Sequence, residues 1–176
     1  MPARPLASVQ LPRRLKPRNG SKVKSLVSGH QPVAGNRYPA VVVHGLREVR
    51  LALSVGLPVT LLSAPGAALH AGCGWWQALV RRAAAEFAAV KVADILDCGD
   101  GAGMALAALR IGQQILVLSP AAPGWDAVAA IAAAQGGSVL NAAPQALDLV
   151  RPGAPRRLHD WLQMRMTPGD SGPPLG

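Results

Sequence analysis

Between Ala40 and Leu140 the chain repeats one unit four times: a short apolar run, a loop rich in Gly, Ser, Pro or Asp, and an Ala- and Leu-rich stretch with helical spacing. The apolar runs lack polar alternation, which is typical of strands buried on both faces of a parallel sheet. A weaker fifth run follows. The pattern predicts strands at Ala40–His44, Val59–Ser63, Asp94–Asp97, Ile115–Ser119 and Ser138–Asn141.

This alternation predicts a three-layer α/β/α sandwich with a mainly parallel sheet of about five strands, Rossmann-like or flavodoxin-like. Because crossovers between parallel strands are right-handed, we take strand orders with a switch point, such as 2-1-3-4-5 or 3-2-1-4-5, as the default. Four or five units are too few to close an eight-stranded barrel. Folds of this class host many activities, so function must be argued from a site.

Glycines mark where the predicted helices end. Helices are expected at about 46–55, 75–88, 102–110 and 125–134, and three of them stop at glycines suited to a left-handed cap: Gly56, Gly112 and Gly136. Residues 142–155 have the composition of a loop. A final helix is predicted at 156–166, where Leu158, Trp161 and Leu162 have nearly helical spacing.

The net charge of +9 is concentrated near the N-terminus. Residues 1–37 contain eight Lys and Arg and no acid, whereas residues 38–176 contain ten basic and nine acidic residues. The first segment is rich in Pro, Ser and Gly without an apolar period, which predicts a disordered basic extension or a start codon placed too early. We expect a single α/β domain at 38–166 and a flexible C-terminal tail at 167–176.

The apolar runs and the cysteines indicate where in the cell the protein is expected. Each apolar run is interrupted before the roughly 18 residues that cross a bilayer, and no secretory signal is evident, so we expect no membrane contact. Cys73 and Cys98 form no CxxC pair and have no nearby His at zinc-ligand spacing. The sequence therefore predicts reduced cysteines, a cytoplasmic protein and no metal site, and it identifies no cofactor.

The carboxyl ends of parallel strands meet at one edge of a sheet, and ligands bind at that edge in open α/β folds. Four loops follow the first four predicted strands, beginning at His44, Ser63, Asp97 and Ser119. The ligand-binding candidates selected by this rule are Gly45, Ser63, Gly66, Gly99, Gly101, Gly103 and Ser119.

The richest of these loops is the turn Asp97-Cys-Gly-Asp-Gly-Ala-Gly103. Two carboxylates and three glycines at a strand-to-helix turn could bind a cation, hold a ribose or position a proton donor. The spacing matches neither the GxGxxG dinucleotide fingerprint nor the GxxxxGK[ST] phosphate loop. The structural alternative is a tight turn in which Asp100 or a neighbour caps the next helix.

His44, Asp97 and Asp100 are the candidate catalytic residues. If they converge with Ser63 or Ser119, they contain the parts of an acid/base or nucleophilic site. His44 has the alternative of bonding a backbone carbonyl through its ring. Cys98, beside a helix start, is either a thiol with a lowered pKa or a buried spectator.

The long second loop, residues 64–74, leads into Trp75 and Trp76. Adjacent helix positions point about 100° apart, so we expect one tryptophan in the core and the other exposed or over the ligand edge. The alternative is that both are partly buried under the loop.

Three functions remain open. The favoured one is a binding module for a partner or small ligand at the carboxyl edge, since no complete catalytic set can be assembled. The second is a small enzyme acting on a compact polar or phosphorylated metabolite, with His44 and Asp97 or Asp100 as acid and base. The third is a nucleic-acid-associated protein that contacts polyanions through residues 1–37. A homodimer is also expected, because a short sheet leaves edge strands unpaired.

Overall fold

The computed structural model describes residues 38–164. The predictions made for residues 1–37 and 167–176 lie outside this range. The strands are β1 (Ala40–Val43), β2 (Val59–Ser63), β3 (Val92–Asp97), β4 (Ile115–Val117), β5 (Ser138–Leu140) and β6 (Ala146–Asp148). The helices are α1 (Leu46–Ser54), α2 (Ala67–His70), α3 (Cys73–Glu86), α4 (Ala102–Arg110), α5 (Trp125–Ala134) and α6 (Ala154–Met164).

The six strands form one sheet in the order β5-β4-β3-β2-β1-β6, and all the pairings are parallel. The α/β class and the mainly parallel sheet predicted from the sequence are confirmed. The order differs from both default orders, but it has a switch point: the chain moves outward from β1 to β5 and returns to the other side of β1 as β6. The crevice at such a point is where open α/β sheets bind ligands.

The two faces of the sheet are covered differently. Val41 and Val43 belong to a large apolar cluster to which all six helices contribute buried side chains. Val42, between them, packs against a smaller cluster of Leu62, Ile95 and Val117. Because side chains alternate along a strand, these clusters lie on opposite faces. Among the described residues, the smaller cluster has no helical member.

The segment that links β5 to β6 covers the second face of the sheet. Five inter-strand steps of about 4.8 Å place β6 about 24 Å from β5 along the sheet. Six Cα–Cα steps from Leu140 to Ala146 reach at most about 21 Å. The sheet is therefore curved. Right-handed crossovers that run in opposite directions pass over opposite faces, so residues 141–145 cross the face that the earlier helices leave uncovered.

The sixth strand lies in the segment that the sequence indicates as a loop. β6 has three residues and contains Asp148, a residue type depleted in strands. Its pairing partner β1 is more than 100 positions away, with Val42 opposite Asp148. A contact of this separation leaves no local signal. α2 is likewise a short helix within the predicted long loop.

Helix ends follow the glycines as predicted. α4 and α5 have the expected bounds, and the glycines after α1, α4 and α5 have φ between 74° and 91°, the left-handed region that side chains disfavour: Gly56, Gly112 and Gly136. Trp76 is fully buried, whereas Trp75 is 39% exposed, so one tryptophan is core and the other is not.

An ion pair joins α1 to α3. Arg50 donates from Nε and Nη2 to the two carboxylate oxygens of Glu86, at 2.7 Å each. The bond raises the pKa of Arg50 and lowers the pKa of Glu86, in each case chiefly through the hydrogen bond. The pair is solvent-exposed, and such pairs contribute little to stability.

No helix within residues 38–164 has the length and apolar character required to cross a bilayer.

Candidate functional site

Asp97, at the end of β3, is held by the backbone of two loops. Its Oδ1 accepts hydrogen bonds from Gly66 N at 3.0 Å and Gly99 N at 2.8 Å. Its own N–H donates to Ser63 Oγ at 2.9 Å. Asp97 is 7% exposed. These bonds join the loop after β2 to the turn after β3, so one role of Asp97 is to fix the two loops together.

The other oxygen of Asp97 remains accessible. No buried side-chain nitrogen or oxygen in the described part of the chain lacks a hydrogen-bond partner. Oδ2 of Asp97 makes no hydrogen bond, so it must keep contact with solvent, and Asp97 lines a cavity of about 590 Å³. A rigid carboxylate in this position can accept a hydrogen bond from a bound molecule.

The glycines of the turn face α2. A Cβ on Gly101 would lie 2.6 Å from Leu69 Cδ2, and one on Gly99 would lie 3.1 Å from Leu69 Cδ1. Gly66, with φ of 64°, begins α2 in the left-handed region. The space that Gly99 and Gly101 open is taken by Leu69, which gives these two residues a packing role, whereas Gly66 supplies a left-handed backbone. Their predicted role in binding a ligand stays a prediction.

Asp100 does not cap α4. The N-cap residue is Gly101, and no side-chain cap hydrogen bond is made there. Asp100 is exposed, and its carboxylate makes no hydrogen bond to any residue of the described range. Gly103, one position inside the helix, has open space where a Cβ would lie.

The two predicted serines bond locally. Ser63 Oγ donates to Ala64 O at 3.2 Å in addition to accepting from Asp97 N. Ser119 Oγ accepts from Ala121 N at 3.3 Å, and Ser119 N donates to Gly99 O at 2.7 Å. Neither hydroxyl is paired with a histidine within residues 38–164, so neither has the partner that a serine nucleophile needs.

His44 pairs with a residue that the sequence did not indicate. Its Nε2 lies 3.1 Å from Asp148 Oδ1, and its side chain is 37% exposed. Gly45, the next residue, has an extended backbone and accepts the first hydrogen bond of α1 from Val49 N at 3.2 Å. Within the described residues, His44 forms no hydrogen bond with Asp97 or Asp100. The pair His44–Asp148 joins the ends of β1 and β6 at the switch point.

Cys98 is fully buried behind the turn. Burial, followed by the nearby Asp97 carboxylate and Cys73, raises the pKa of the Cys98 thiol to about 12. A nucleophilic cysteine needs a lowered pKa, so of the two interpretations the structure favours the spectator.

A cavity lies on the second face of the sheet, at the ends of β1 and β6. We call it the β1/β6 cavity; its volume is about 590 Å³. Val42 and Leu62 of the sheet form its apolar floor, and residues 143–148 of the link and β6 form one wall. Of the sequence candidates, Ser63 and Asp97 line it. His44, Gly45, Gly66, Gly99, Asp100, Gly101, Gly103 and Ser119 are not among its lining residues.

Helix α6 supplies another wall. Its core face consists of Ala154, Leu158 and Leu162, all buried. A second face, at spacings of three and four residues, lines the cavity: Arg157, Asp160, Trp161 and Met164. Trp161 Nε1 donates to Ala40 O at 2.9 Å, which fixes the indole beside β1.

Charged groups gather around this wall. Asp148 contacts His44 through Oδ1 and Arg151 Nε through Oδ2, the latter at 3.6 Å. Asp160 Oδ1 lies 3.7 Å from His159 Nδ1. Arg157 lines the cavity and has no ion-pair or hydrogen-bond partner within residues 38–164.

Sequence reasoning missed Asp148, Arg151, Arg157 and Trp161 as site residues. The alternation in Leu147-Asp148-Leu149 and the helical spacing of Arg157, Trp161 and Met164 were the available signals. Within residues 38–164, no three His, Cys, Asp or Glu side chains are grouped so that they could hold a metal ion.

Comparison of the chain with protein-family models and with curated proteins finds no match in either.

Proposed function

We propose that this protein is a binding module for a small organic molecule and that its site is the β1/β6 cavity. The observation that carries the proposal is the position of this cavity at the switch point between β1 and β6. Its volume of about 590 Å³ is within the range typical of small-ligand sites, about 300–1,000 Å³.

The lining also supports a ligand site. An apolar floor of Val42 and Leu62, with Trp161 at one side, favours burial of an apolar body. Asp97 supplies one fixed acceptor, held by two backbone N–H groups. Mostly apolar pockets with a few fixed polar groups are the usual form of small-molecule sites.

The test uses N-phenyl-1-naphthylamine, a neutral aromatic fluorophore. Ala143→Trp places a large side chain in the wall of the cavity, whereas Ala142→Trp changes the adjacent exposed residue, which does not line it. We expect Ala143→Trp to weaken binding of the probe at least tenfold and Ala142→Trp to leave it unchanged. Absence of probe binding, or equal binding by Ala143→Trp and the parent protein, would overturn the proposal.

A second candidate is a small enzyme with His44 as acid or base. The hydrogen bond between His44 and Asp148 favours it, because a carboxylate that orients a histidine is a common part of acid/base sites. Asp97 and Asp100, the partners that the sequence suggested, make no contact with His44 in the described range. Turnover of 4-nitrophenyl phosphate that is lost in His44→Asn and kept in Asp100→Asn would support this function; equal turnover in both would exclude it.

We propose a cytoplasmic protein, in keeping with the free Cys73 and Cys98. A further proposal is that residues 1–37, which lie outside the described range, bind polyanions. Residues 38–164 hold nine basic and eight acidic residues, so the excess of positive charge lies in the N-terminal segment. A homodimer would be expected to pair an edge strand, β5 or β6.

A further inference from the structure

We infer that the molecule bound in the β1/β6 cavity is an organic anion with a flat apolar body, whose acid group is held by Arg157 with Arg151 beside it. The chemical class is an aromatic carboxylate, sulfonate or phosphate monoester. This inference rests on the proposed binding function and goes beyond it by naming the class of ligand.

The charged side chains of the cavity lining differ in their partners. Three carboxylates and two guanidinium groups line the cavity. Asp97 accepts two backbone N–H bonds, Asp148 contacts His44 and Arg151, and Asp160 contacts His159. Arg157 has no such partner in the described part of the chain. Arg157 is therefore the guanidinium of the lining that no carboxylate of the described residues pairs.

The guanidinium groups of Arg157 and Arg151 can bind an acid group. A guanidinium presents donors in a planar fork that matches carboxylate, sulfonate and phosphate oxygens. Arg151 contacts only one oxygen of Asp148, at 3.6 Å, and its side chain is 79% exposed. Arg151, which also lines the cavity, therefore keeps donors for a second anion.

The apolar side chains of the cavity wall favour a flat apolar group in the rest of the ligand. Arg157 and Trp161 are four residues apart on α6 and share its cavity face. The bond from Trp161 Nε1 to Ala40 O holds the indole in place, and Pro65 and Pro144 line the cavity as well. A flat apolar group can pack between these rigid side chains, with its acid group at Arg157. Oδ2 of Asp97 would then accept a hydrogen bond from the ligand.

The test compares two probes that differ by one acid group. 8-Anilinonaphthalene-1-sulfonate carries a sulfonate that N-phenyl-1-naphthylamine lacks. Titrations with each, followed by fluorescence, are made on the full chain, on Arg157→Ala and on Arg156→Ala. Arg156 is the matched control because it is exposed on the same helix and does not line the cavity.

We expect the sulfonate probe to bind the parent protein about tenfold more tightly than the neutral probe, and Arg157→Ala to abolish that difference, as loss of a charge-assisted hydrogen bond implies. Arg156→Ala should keep the difference. Equal binding of the two probes to the parent protein, or equal effects of the two substitutions, would overturn the inference while leaving the binding function intact. If neither probe binds, the proposed function itself fails. Circular dichroism on each variant excludes unfolding as the source of a change.

Discussion

Two regions at the carboxyl edge of the sheet differ in whether their sequence composition matches the presence of an open cavity. The turn after β3, residues 97–103, has the glycines and carboxylates of a binding loop, yet Leu69 packs against Gly99 and Gly101. The segment from β6 into α6 has the composition of a loop and a helix, yet it forms a wall of the β1/β6 cavity. The glycines of this turn thus make room for a side chain of the protein itself. The open cavity lies instead where the chain returns to the sheet beside β1.

Asp97 lies in the turn and also lines the β1/β6 cavity, and its removal has the largest expected effect on stability. Asp97→Ala leaves Gly66 N and Gly99 N without their acceptor, so we expect the free energy of unfolding to fall by about 2–4 kcal/mol. Asp100→Ala, three positions away and exposed, should change it by less than about 0.5 kcal/mol. Urea denaturation measures both. Equal effects of the two substitutions would show that the turn is not fixed by Asp97.

A pair of glycine substitutions tests whether Leu69 fills the turn. Gly101→Ala brings a Cβ to 2.6 Å from Leu69 Cδ2 and 3.1 Å from Cys98 O, so we expect a loss of about 1–2 kcal/mol in the free energy of unfolding. Gly103→Ala meets open space inside α4 and should stabilise the protein by about 0.5–1 kcal/mol. Thermal unfolding shows whether each substitution lowers or raises the stability. Leu69→Ala combined with Gly101→Ala should recover part of the loss; no recovery would place the conflict elsewhere.

The pH dependence of stability probes the packing behind the turn, with the smallest expected effect. The pKa of Cys98 is raised to about 12 in the folded protein, so the folded state retains a proton that the unfolded state loses above the ordinary cysteine value. Stability should therefore fall as the pH rises above about 9, by about 1 kcal/mol at pH 10. Cys98→Ala should lack this component in urea denaturation at pH 8 and pH 10. An identical pH dependence in the variant and the parent protein would mean that Cys98 is not protected.

The sequence predicted what depends on local signals. Helices α4 and α5 and strand β2 have their expected bounds, because glycines and buried apolar runs mark them within a few residues. β6 was missed, since three residues with an aspartate acquire strand geometry only by pairing with β1.

The candidate site was predicted in part for the same reason. Asp97 and Ser63 follow strands and were placed at the carboxyl edge, where they line the cavity. Arg157 and Trp161 were indicated only as parts of a helix. Their place at the cavity depends on where β6 returns to the sheet, and a pairing across more than 100 residues leaves no trace in the local pattern.

The most direct test of the central claim, that ligands bind at the β1/β6 cavity and not at the glycine-rich turn, is a nuclear magnetic resonance titration of the ¹⁵N-labelled protein with 8-anilinonaphthalene-1-sulfonate. We predict the largest shift changes at the amides of Val42, Leu62 and Gln145 and at the indole N–H of Trp161. Changes confined to Leu69 and the amides of Gly99 and Gly101 would contradict it.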